Sequence, residues 1–206
     1  MKQLPIPTPP PGFRYEGRLF ADLNQKNKSR FRLFIDANLI ALIPLGVGIV
    51  LLWLPFQFYR ALGAPWVVLP HFELTLPFHI LVWAVMIASS MIVHELIHAL
   101  ILRFAGLRPR ILWYGGMLLA SLPEGEYLSR RLYLIMSLSP VVALSLLGIP
   151  GLILLPDTIA NPLLVTLLLN LAASTGDLMV ADRVWRSPPN AVFTDDHGIQ
   201  VFVPVV

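Results

Sequence analysis

His94, Glu95 and His98 stand in the order H-E-x-x-H within the stretch Met91-Ile-Val-His-Glu-Leu-Ile-His-Ala-Leu100. On a helix, residues four apart lie one above the other on the same face. Both imidazoles can then reach one metal ion. Glu95 lies about 100° round the helix, close enough to take a proton from a water activated there. Two His ligands beside a carboxylate base are the parts needed for metal-assisted hydrolysis. The chain has no cysteine, so a zinc ion would have to use His, Asp or Glu. The same lack excludes disulfides and a thiol nucleophile.

The setting of these residues is apolar. Of the 206 residues 56% are hydrophobic and only 13% are charged, against about 25% charged in ordinary soluble domains. Ionisable groups inside such a run are expensive, and by default they mark function. The formal net charge is +3. The basic residues flank the apolar runs, which fits membrane topology rather than nucleic-acid binding. No short apolar segment with a small-residue cleavage site follows the Pro-rich start, so no cleavable signal peptide is expected.

Four apolar runs are long enough to cross a bilayer as helices. They are Leu33 to Leu54, Pro77 to Phe104, Leu132 to Leu155, and Asn161 to Ala181. The expected fold is an all-α polytopic membrane protein of about four transmembrane helices. Between the second and third, Ile111 to Ala120 reads as two short extended pieces around Gly115-Gly116, a hairpin-like connector. Residues 1–32 form a Pro-rich and basic N-terminal segment, 33–186 the four-span domain, and 187–206 a tail. Alternating apolar residues near the end of that tail suggest a short exposed strand. Lys and Arg number seven before the first span, five from Arg103 to Arg131 and two after the fourth, whereas Arg60 stands alone between the first two spans and the turn at 156–160 has none. That alternation places both termini in the cytoplasm.

The topology fixes depth. His98 lies five residues before Arg103, about 7.5 Å inside the boundary, and His94 is about 6 Å deeper. On the fourth span Asp177 lies six residues before Arg183, about 9 Å from the same boundary. Catalytic zinc sites commonly use three protein ligands and one open position, and Asp177 is the expected third ligand. Asn170, Ser174 and Asp177 share a face at i, i+4 and i+7. Asn170 and Ser174 are therefore candidates for orienting a ligand or binding a substrate carbonyl. His79 is about 22 Å along the same helix from His94 and cannot share its metal.

With these residues in place, the chain resembles site-2 proteases, and more closely a compact bacterial family of integral-membrane zincin peptidases. His94-Glu95-x-x-His98, Ser139-Pro140 and Ser174-Thr-Gly-Asp177 carry the resemblance, over roughly residues 30 to 200. It departs from site-2 proteases at Gly176-Asp177, where those show Asp-Gly with an Asn and Pro upstream. The resemblance implies zinc bound by His94, His98 and Asp177, with Glu95 as base. It also implies a bacterial cell-membrane location and cleavage of a membrane-protein or peptide substrate, guided by the hairpin. The alternative is a non-catalytic metal-binding membrane scaffold or assembly protein, for which an intact Glu95 has no use. A transporter is weaker still, since no inverted repeat is present.

Overall fold

The computed structural model describes residues 8–20, 30–61, 76–114, 117–155, 157–195 and 198–205. The expected Gly115-Gly116 turn lies outside them. The chain divides into two compact units. One comprises Met1–Leu33, Glu95–Ser139 and Gly176–Val206, the other Phe34–His94 and Pro140–Thr175.

Helix α1 (Arg30–Gly48) runs into a π-helical turn (Ile49–Trp53) and then α2 (Leu54–Ala61). Helix α3 (Leu76–Phe104) carries the H-E-x-x-H residues. Strands β2 (Arg110–Tyr114) and β3 (Met117–Ser121) pair antiparallel, with Ile111 opposite Ala120. Helices α4 (Arg130–Leu154), α5 (Asp157–Ala173) and α6 (Thr175–Arg186) follow.

Three segments among the described residues are long and apolar enough to cross a membrane: Leu39–Phe58, Ala84–Phe104 and Arg130–Leu154. Only 11% of the first is buried and 28% of each of the others. Many of their large apolar side chains, Leu42, Leu51, Ile92, Leu96, Leu146 and Leu154 among them, are exposed, as contact with lipid requires. The run expected as the fourth span is not one straight helix. It falls on the pair α5 and α6, broken at Ser174, which is long and apolar enough to cross only if the two are taken as one span. The hydroxyls of Ser174 and Thr175 donate to the carbonyls of Asn170 and Ala172, a local competition that bends helices. The single face expected through Asn170, Ser174 and Asp177 is thus split between two helices.

In the first unit, β1 (Phe13–Arg18), β6 (Gln200–Pro204), β5 (Val192–Thr194) and β4 (Leu128–Ser129) form a sheet in that order. Phe193, Leu128 and Val184 are fully or almost fully buried there, packed with Leu102, Leu122 and Tyr133, and Phe202 is fully buried against the rings of Tyr15 and Tyr127. The exposed terminal strand expected from sequence is therefore corrected. β6 is an interior strand, paired with β1 on one edge and β5 on the other. Its alternation conceals a strand that needs a partner almost two hundred residues away.

Helix α3 ends in a Schellman motif. Gly106, at φ +83°, supplies the left-handed residue. Its N–H donates to Arg103 and that of Leu107 to Leu102, which satisfies the last carbonyls and turns the chain out of the helix.

In the second unit, glycine allows close helix contact. A Cβ on Gly148 would sit 2.6 Å from both Leu167 methyls, and one on Gly48 would sit 2.7 Å from Leu171. Small residues serve this purpose between apolar helices, where side-chain bulk sets the spacing.

Candidate functional site

Ligand atoms of His94, Glu95 and His98 lie within 4.8 Å of one another on the unbroken helix α3. Both histidines are 7% exposed. Each imidazole is held through the same nitrogen. His94 Nδ1 is 2.8 Å from Asn170 Oδ1, and His98 Nδ1 is 2.9 Å from the Met136 carbonyl oxygen. Both oxygens only accept, so each Nδ1 carries the hydrogen. In the neutral rings Nε2 then presents its lone pair. This is how metal-ligating histidines are fixed in tautomer and orientation.

The Met136 carbonyl is available for a reason the sequence supplies. Its normal helical partner would be the N–H of residue 140, but Pro140 has none. The freed oxygen accepts from His98 Nδ1 and also from Ser139 Oγ at 2.8 Å. Ser139-Pro140 thus aims His98 without touching the site.

Asp177 opens α6, and its Oδ1 lies 3.5 Å from His98 Nε2. A carboxylate facing an imidazole lone pair needs a cation or proton between them. A charge-assisted N–H···O bond would be about 2.7–2.9 Å long. Two ligands on one tetrahedral zinc, with bond lengths near 2.1 Å, sit about 3.4 Å apart. The observed separation fits an ion shared by His98 and Asp177; the group whose ligand atoms all lie within 4.8 Å of one another is His94, Glu95 and His98, without Asp177.

Glu95 is half-buried, and its Oε2 accepts the N–H of Ala120 on β3 at 2.8 Å. Two residues on, the Leu122 N–H is held by both carboxylate oxygens of Asp195, at 3.1 and 3.0 Å. In an extended chain N–H groups two apart point the same way. The edge formed by β3 and the residue that follows it is therefore held by two carboxylates, one of them from the motif. Replacing Asp195 with Ala is expected to accelerate hydrogen exchange at the Leu122 amide by roughly 10- to 100-fold, the worth of a hydrogen bond to a charged group. Unchanged exchange would show that Asp195 does not hold this edge.

Ser174 is fully buried with its hydroxyl turned onto its own helix, and Asn170 is 2% exposed against His94. Sequence reasoning missed Met136 and Asp195. The first acts through its backbone, and the second lies beyond β5 with no motif around it.

Residues 87–192 match the model of a family described as "Putative zincin peptidase". The chain belongs to that family. The match covers just over half of the chain and runs from the middle of α3 to the start of β5. It takes in every residue placed around the zincin motif above except Asp195. No curated protein and no solved structure matches the chain.

Proposed function

We propose that this zincin-family chain is a membrane-embedded zinc metallopeptidase, similar in plan to site-2 proteases, that hydrolyses peptide bonds of membrane-associated substrates. One observation carries the reading. Two buried imidazoles, each fixed through Nδ1, leave Nε2 to face a metal beside a half-buried glutamate, and that of His98 lies 3.5 Å from Asp177 Oδ1. His94, His98 and Asp177 would hold the zinc. When bound, zinc lowers the pKa of water to about 7 and polarises a carbonyl.

The chain's own groups supply the rest. Asn170 and the Met136 carbonyl keep the rings aimed. Glu95 accepts the proton of the attacking water and returns it to the leaving amine. The Ala120 N–H holds that carboxylate in place. A helical substrate hides its carbonyls in its own hydrogen bonds, so it must be locally unwound. An extended segment pairing with β3 would compete with Glu95 and Asp195 for the Ala120 and Leu122 donors. Both termini are assigned to the cytoplasmic side on the Lys and Arg distribution.

The test is cleavage of a tagged single-span protein by the purified chain in proteoliposomes. A zinc chelator is expected to abolish cleavage and added zinc to restore it. Cleavage that persists in a chain freed of metal would overturn the proposal.

A further inference from the structure

We propose that the open cleft at the end of α3 binds an anionic phospholipid, a site separate from the zincin motif and independent of hydrolysis. The cleft holds about 430 Å³ and is lined by Leu96, Ala99, Leu100, Arg103, Arg108 and Pro109. Leu96, Leu100 and Arg103 recur at i, i+4 and i+7, so they share one face of α3. It is the face opposite His94 and His98. Leu96 is 55% exposed and Leu100 49%, where the end of a membrane-crossing segment meets the interface. The Schellman turn at Gly106 brings the chain back so that Arg108 and Pro109 close the cleft.

The arginines decide the occupant. Arg110 pairs with Glu124 at 2.6 Å, and Arg186 with Asp182 at 2.9 Å. Arg130 lies over Trp185 and Arg183 over Phe20. Arg103 and Arg108 have no hydrogen bond, ion pair or ring partner among the described residues, and no acidic residue lines the cleft. Two unneutralised guanidinium groups at the polar end of an apolar groove match one phosphate above an acyl chain. The lipid chain would lie along Leu100 and Leu96, with its phosphate between the two arginines.

Native mass spectrometry of the full chain in detergent tests this, titrating phosphatidylglycerol against phosphatidylcholine. Interfacial basic residues contribute about 1 kcal/mol each to binding anionic lipid. The Arg103→Gln/Arg108→Gln variant is therefore expected to bind phosphatidylglycerol roughly 30-fold more weakly. Arg108→Gln alone, which lies beyond the helix and spares its fold, should lose about fivefold. The charge-matched control Arg131→Gln/Arg186→Gln, outside the cleft, should bind like the wild type. An equal loss in the control would replace the site with diffuse surface charge. Equal binding of both lipids would reduce it to an apolar groove, and displacement of phosphatidylglycerol by equimolar inorganic phosphate would make it a free-anion site. Each of these overturns the proposal.

Discussion

Replacing Glu95 with Gln is expected to slow peptide cleavage by about 10²- to 10⁴-fold, the usual contribution of a general base, while zinc content stays at the wild-type level. Glutamine keeps the shape of the side chain, and its carbonyl oxygen can still accept the Ala120 N–H that Glu95 accepts now. Only the capacity to take a proton is lost. Glu95→Ala removes that oxygen as well, so its Ala120 amide should exchange faster while the glutamine variant's stays protected. The measurement is zinc content, cleavage rate and amide exchange on the same three preparations. Wild-type cleavage in Glu95→Gln would remove the glutamate from the chemistry. Lost zinc in that variant would make it a ligand instead.

The contrast between what is readable in the sequence and what is not follows from how each feature is encoded. The apolar runs and the His94-Glu95-His98 spacing are local patterns, and three of the four runs survive as continuous helical segments and the motif as one cluster of two buried histidines and a half-buried glutamate. The proximity of Asp177 to His98 followed only from depth counted against flanking arginines, an argument across two segments. Strand β6 needed β1, which stands near the other end of the chain, and no local pattern names a partner at that separation. The break at Ser174 is decided by hydroxyls that choose backbone carbonyls over the helix ladder, a choice that propensity leaves open. The link from Pro140 through the Met136 carbonyl to His98 is invisible for another reason. The group that matters is a peptide oxygen, which every residue carries, and only the missing N–H of proline marks it.

The second large effect separates a ligand from its support. Asp177→Ala is expected to lose zinc outright, and cleavage with it, because two histidines alone leave a catalytic zinc site one protein donor short. Asn170→Ala should act differently. It removes the oxygen that fixes the His94 tautomer, and loss of such outer partners typically costs about 10- to 100-fold in metal affinity or activity. Excess zinc should therefore rescue Asn170→Ala and fail to rescue Asp177→Ala. The check is a zinc titration of both variants against a competing chelator, with cleavage measured at each point. The 3.5 Å separation between Asp177 and His98 also fits a second arrangement, in which a protonated imidazole faces the carboxylate as a loose ion pair. The titration divides the two. An ion pair without metal predicts wild-type zinc affinity in Asp177→Ala, and that result would leave the site with no third ligand from α6.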